Sequence, residues 1–212
     1  MIFDKKKGSI LNFIQMPLNV ITPYGTYLGL NYDGNKPKYI LSHVRVTTFD
    51  VKELVFSSLS KDYILKKETP TLEITPDNVI GYNYKVTPTE LKYGYITSAS
   101  KRISLDTGKI TPAEASFVLE KQLRNIGNVL EEFIFFPLGQ PQYDALLVHF
   151  YYEGVDTIKD SPIIELINSE SWFDITDEIQ TNIKRSNGRV DEQLAARKMS
   201  IAKMWSYVPG FS

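Results

Sequence analysis

The chain has no cysteine and only two histidines, His43 and His149, among its 212 residues. Without cysteine there is no disulfide staple, no thiolate zinc site and no cysteine nucleophile. Two histidines far apart exclude a histidine-rich metal site. They leave a Ser-His-Asp arrangement only two bases to draw on, and neither lies near a serine in a nucleophile motif. No run approaches the roughly 18 apolar residues of a membrane-spanning helix, and Met1-Ile2-Phe3-Asp4 does not open like a secretory signal. One-sided charge is missing as well. With 24 basic residues against 25 acidic ones the net is −1, so no global field draws in nucleic acid or an acidic membrane. Lys5-Lys6-Lys7 reads as a solvated terminus. The expectation is a chain with no metal, no cofactor, no nucleic-acid partner and no membrane span.

What is present suffices for a core: 42% hydrophobic residues, 12% aromatic. The grammar changes near Thr75. Before it, β-branched and aromatic runs are broken by Pro-Tyr-Gly, Tyr-Asp-Gly-Asn and Lys-Pro, with Asp33-Gly34 as a hairpin signal. KDYILKK and the proline-crossed TPTLEIT follow. Residues 1–73 are therefore predicted to form a small, mostly β unit, and residues 74–212 a second domain. The stretch DNVIGYNYKVTPTELKYGYIT, Asp77 to Thr97, spaces Tyr82, Tyr84, Tyr93 and Tyr95 like a strand pair around Thr87-Pro88-Thr89, which predicts one β-hairpin turning there.

Beyond the hairpin the pattern is helical. Thr111 as N-cap, Pro112 at the first helical position and Glu114 three residues on make a capping box. Phe117, Leu119, Leu123, Ile126, Val129, Leu130 and Phe133 then recur at helical spacing until Pro137. Gln140 to Tyr152 reads as a helix apolar on most sides, stopped by Gly154, with His149 packed inside it. Shorter helices are expected at SPIIELINSE, WFDITDEIQTNIKR and DEQLAARKMSIAKMWSY. The fold class is α+β, with several helices around a buried one.

Four segments carry a resemblance. PLGQPQYDALLVHFYYEGV is similar to the phage lysozyme pattern leading into a buried helix that ends in glycine, and SPIIELINSESWFDI resembles the next helix pair. DTGKITPAEA matches the family's entry into its long helix, and SNGRVDEQLAARKMSIAKMW its closing segment, with Arg197-Lys198 in place of an arginine pair. The matches run in order from Ile74 to Tyr207. The resemblance implies a lysozyme-like, mostly helical domain with a β-hairpin. It also implies a general-acid Glu at the end of the first helix, a second carboxylate on the first hairpin strand, and a Thr ahead of a Gly-x-Gly-His turn.

Laid on that hairpin without gaps, Tyr84-Lys85 and Gly94-Tyr95 fit. Asp77 then falls at the general-acid position, with Asn78 for the following Gly. Val86 replaces the second carboxylate, Lys92 the Thr, and Ile96-Thr97 the end of the Gly-x-Gly-His turn. Asp for Glu draws the acid back by one methylene, and a misplacement of about 1 Å costs on the order of a hundredfold in rate. Val86 cannot exchange a proton, and Lys92 puts a cation where positive charge develops. Asp77 also reads as part of an ordinary Thr75-Pro76-Asp77-Asn78 turn. Glu73 and Glu90 flank the hairpin as alternative acids, or as plain surface carboxylates. The four tyrosines read either as a packed face or as a sugar platform.

Three functions follow as expectations. The first is a non-catalytic, lysozyme-like component of a bacteriophage tail or baseplate, made in the host cytoplasm, carried in the virion and contacting other tail proteins. The second is an active muramidase that cleaves peptidoglycan. The third is a module that binds peptidoglycan without cutting it.

Overall fold

A computed structural model describes residues 18–32, 36–42, 44–98, 101–184 and 188–208. Lys5-Lys6-Lys7, the Asp33-Gly34 turn and His43 lie outside the described residues. The chain opens with strands β1 (Val20–Thr22), β2 (Gly25–Tyr32) and β3 (Lys36–Leu41), an antiparallel sheet in that order. A short strand β4 (Thr48–Phe49) follows, then a 3-10 turn at Val51–Glu53 and helix α1 (Ser58–Lys67). Strands β5 (Val79–Ile80) and β6 (Tyr84–Lys85) pair with each other. Helix α2 (Pro88–Tyr93) then separates them from a second pair, β7 (Tyr95–Thr97) with β8 (Arg102–Ser104). The long helix α3 (Pro112–Phe133) leads through β9 (Leu138–Gly139), which returns to pair with β4, into α4 (Gln140–Glu153). Helices α5 (Pro162–Asn168), α6 (Ile175–Ile179) and α7 (Glu192–Trp205) complete the body.

The predicted α+β class and the buried central helix are what the structure has. Every residue of α4 from Gln142 to Phe150 is buried, and α1, α3 and α7 pack around it. α3 begins as its sequence dictates. The Glu114 amide donates to the Thr111 hydroxyl at 3.2 Å, and the Thr111 amide donates back to the Glu114 carboxylate at 2.9 Å. Those Thr111 bonds, with Lys101 at 3.0 Å, hold the Glu114 carboxyl down to about 2. Val118, Leu119, Leu123, Ile126 and Leu130 form the buried stripe of α3.

Two local expectations are corrected. Thr87-Pro88-Thr89 is not the turn of one hairpin but the start of α2. Thr87 caps it, Pro88 takes the first helical position and Glu90 closes a second capping box. The spacing of Tyr82 to Tyr95 looked strand-like because two short strand pairs flank a six-residue helix. Gly94 ends that helix at φ +72, a left-handed conformation that favours glycine.

The second correction concerns KDYILKK, placed in the mostly β stretch but helical here as part of α1. Its β-branched and aromatic residues resemble a strand, yet Ser57 caps its first turn and Ser60 and Ile64 face inward. The decisive partner is distant in sequence. Asp144, with 0% of its surface exposed, accepts from the Ser57 amide at 2.9 Å, the Ser57 hydroxyl at 2.6 Å, the Ser60 hydroxyl at 2.6 Å and Gln140 Nε2 at 3.1 Å. The N-terminal region shares the core of the helical body: Val20, Val51, Leu54 and Ile64 belong to the same buried cluster as α3 and α4. Gln142 Nε2 also donates to the Ile21 carbonyl at 2.9 Å.

Removing the Asp144 carboxylate strands the buried Ser60 hydroxyl and the part-buried donors of Ser57 and Gln140 at once. Asp144→Ala is expected to lower unfolding free energy by about 2–4 kcal/mol and Ser60→Ala by roughly 1. Urea titration measures both. An Asp144→Ala midpoint equal to the parent's would show that the cap is dispensable.

Candidate functional site

The first strand pair and the start of α2 face α3 and the end of α4 across a cleft of about 620 Å³. Its walls include Tyr84, Glu90, Lys121, Asn125, Tyr151 and Asp156. A larger hollow of about 840 Å³ lies at the far end of α3, where Phe135 and Phe136 stand beside the exposed carboxylates Asp50 and Glu132. The smaller cleft holds Glu90, one of the carboxylates singled out in the sequence, and carries the interest.

Glu90 is the carboxylate built into that cleft. It accepts from the Tyr84 hydroxyl at 2.8 Å, from the Thr87 amide and hydroxyl at 2.9 Å each, and from the Lys121 ammonium. Burial alone drives its carboxyl up, but the bonds from Lys121, Thr87 and Tyr84 outweigh burial and hold it below the ordinary carboxylate range. Tyr84 is pushed well above the ordinary phenol value, by burial first and then by its bond to Glu90. An ionised carboxylate with these partners has no proton to give and no free lone pair aimed at a substrate. Glu90 joins β6, α2 and α3 as a strut.

The other predicted positions scatter. Asp77 is exposed in the turn before β5, where the Asn78 amide donates to the Thr75 carbonyl at 2.8 Å. Val86 is buried core, and Lys92 and Thr97 are exposed. Ile96 is fully buried. Glu73 pairs with Lys109 at 2.6 Å on the surface. The tyrosines divide: Tyr82 and Tyr84 are packed into the core, while Tyr93 and Tyr95 stack on each other outside it.

A carboxylate that the sequence reading passed over is Glu68, the residue that ends α1. Half-buried, it accepts from the Tyr152 hydroxyl at 2.6 Å. It lines a hollow of about 440 Å³ with Tyr63, Lys67, Tyr152, Gln193 and Arg197. The Arg197 guanidinium lies 4.0 Å from the centre of the Tyr152 ring. Burial, and then Glu68, raise the Tyr152 hydroxyl far above its ordinary value. The last turn of α4 thus turns Tyr151 to the cleft and Tyr152 to Glu68, their rings 4.9 Å apart and near perpendicular. The signal that could have found Glu68 was Ser57 as an N-cap. Once α1 is a helix, its end is where a helix-terminal Glu must be sought.

Arg197 and Lys198 have separate tasks. Lys198, only 5% exposed, pairs with Glu153 at 3.1 Å. Beside it His149 is packed as expected, 7% exposed with its ring edge-on to Phe150.

A long helix, a buried helix and a small β region enclosing a cleft define a lysozyme-like, muramidase-type fold. The sequence pattern of the phage lysozyme family matches residues 79–200, and the chain belongs to that family. Among solved structures it is similar to an endolysin from Escherichia coli O157:H7 phage FAHEc1, with TM-score 0.53 and 22% identity over 74% of this chain and 97% of that one. The muramidase domain of SpmX from Asticaccaulis excentricus gives 0.54 and 20%, over 71% and 96% of the two chains. A mutant P22 lysozyme gives 0.54 and 17%, over 72% and 98%. At these identities the likeness is one of fold. Among curated proteins none matches the chain.

Burial pushes the His149 imidazole down to about 4, with smaller opposing effects from Glu153 and Lys198. The folded value lies below the ordinary 6.5, so the unfolded chain takes up the proton more readily. Stability is therefore full above about pH 6.5 and falls as pH drops toward 4, by as much as ~3 kcal/mol. His149→Leu is expected to flatten that limb, read as unfolding midpoints from pH 7 to 4. Parallel curves for parent and variant would exclude the histidine as the cause.

Proposed function

We propose that this chain is a peptidoglycan-facing, lysozyme-fold component of a bacteriophage tail or baseplate, one that does not cut glycan with the carboxylates of its hairpin region. The observation that carries the reading is Glu90, held ionised in the cleft by Lys121, Tyr84 and Thr87. Val86 packs into the core and Lys92 faces solvent, so neither supplies an acid or base. In this reading the chain is made in the host cytoplasm, carried in the virion and held by other tail proteins, which the β-rich N-terminal region is suited to meet. No described helix is long and apolar enough to cross a membrane.

A second reading has its own observation. Glu68 ends the helix that precedes the strand pairs, and its carboxylate borders an open hollow beside Tyr152 and Arg197. That is the place a muramidase's proton donor occupies in the resemblance drawn above. A donor there protonates the glycosidic oxygen as the bond breaks, while a second carboxylate steers water or stabilises the cation; Asp77 is the candidate, since Glu73, which lies between them, is paired with Lys109.

Release of soluble fragments from purified peptidoglycan separates the two. The first reading expects none from the folded parent. Release that Glu68→Gln abolishes, by about a hundredfold or more, overturns it and assigns Glu68 as the acid. A further loss in Asp77→Asn identifies the second group.

A further inference from the structure

The strand pair β7–β8 has one face in the core and one outside. Ile96 and Ile103 are fully buried, whereas Tyr95, Thr97, Arg102 and Ser104 point the other way. Tyr93, at the end of α2, extends this outer face and is 60% exposed. The Tyr93 and Tyr95 rings stack with centres 6.1 Å apart and planes 30° from parallel. Arg102 lays its guanidinium 4.1 Å from the centre of the Tyr95 ring. Arg102 pairs with no carboxylate among the described residues, and neither does exposed Lys92. Lys101, by contrast, is taken up by Glu114 at 3.0 Å. The Asp106 carboxylate lies beside Gly94, between Tyr93 and Tyr95 in the chain.

We propose that the Tyr93–Tyr95–Arg102 ladder is a second binding site, outside the cleft, for the glycan strands of peptidoglycan. The proposal rests on the wall-facing reading above. Flat aromatic faces match the C–H faces of N-acetylated sugar rings. A guanidinium laid on them, paired with no carboxylate among the described residues, matches the carboxylates that wall sugars and their peptides carry. Tyr93 and Arg102 stand outside the core cluster. The charge is local, which suits a chain whose net is −1. Such a ladder holds the strand without chemistry and serves a protein that cuts as well as one that does not.

Co-sedimentation with purified sacculi tests this for the full chain and for Tyr93→Ala, Tyr93→Phe and Arg102→Gln, each checked for an unchanged circular dichroism spectrum. The parent is expected to bind, Tyr93→Phe to bind equally, and Tyr93→Ala and Arg102→Gln each to lose about tenfold in apparent affinity. Chitohexaose, which offers the sugar faces without carboxylates, should bind more weakly and ignore Arg102→Gln. Equal sacculus binding by the parent and both weakened variants overturns the ladder while leaving the wall-facing reading intact. A folded parent that does not sediment with sacculi overturns both. Loss of binding to a purified tail protein in Tyr93→Ala, with sacculus binding unchanged, reassigns the surface to a protein interface.

Discussion

The buried carboxylate of Asp144 fixes where the chemistry of this molecule can lie. Taking a charge out of water costs several kcal/mol unless donors replace the lost solvent, and here Ser57, Ser60 and Gln140 supply them. The result pins the start of α1 to the first half of α4. From Ser57 to Glu68 is about 16 Å of helix and from Asp144 to Tyr152 about 12 Å, so a helix laid alongside α4 ends level with its last turn. There Tyr152 meets Glu68. One polar anchor at the front of the helix pair thus decides which carboxylate reaches the far end.

The same four-residue device, Thr-Pro-x-Glu, starts both α2 and α3, and the two copies show how surroundings change a group's meaning. At α3 the Glu114 carboxylate closes the cap near solvent and meets Lys101. At α2 the equivalent Glu90 is turned inward, where Tyr84 and Lys121 join the cap. A carboxylate in a cleft is ordinarily the first place to look for acid-base chemistry. Here the cap sets its direction and the lysine its charge, and Glu90 stands in the cleft as a strut.

How much of this was legible depends on the distance between partners. The capping box at Thr111, the apolar stripe of α3, the enclosed α4 and the α+β class are local patterns, read from neighbouring residues. The family resemblance was legible because four such patterns occur in order. Helix α1 was not, since its cap is completed by Asp144, in another helix far along the chain. Without Asp144 in view α1 reads as β and offers no helix end ahead of the hairpin region, so ungapped counting puts the acid position at Asp77. The cap at Thr87 was local and readable. Tyrosines at strand-like spacing on either side of it hid the short helix. The division of those tyrosines, two inward and two outward, depends on α2 turning the chain between them.

Electrostatics sets a last constraint on the proposed wall-facing role. A net charge of −1 gives no long-range attraction to an anionic polymer, and at physiological salt a charge is felt over only about 8 Å. Contact must therefore depend on groups placed where the wall touches. Several of the described cations are committed inward or sideways: Lys121 to Glu90, Lys61 to Glu120, Lys198 to Glu153, Lys109 to Glu73. Arg197 and Arg102 are instead laid over tyrosine rings, which leaves their charge available while fixing its direction. A freely diffusing enzyme gains encounter rate from a basic surface. Under the proposed tail-borne reading the particle delivers the protein to the wall, and short-range cations over aromatic rings take the place of that rate.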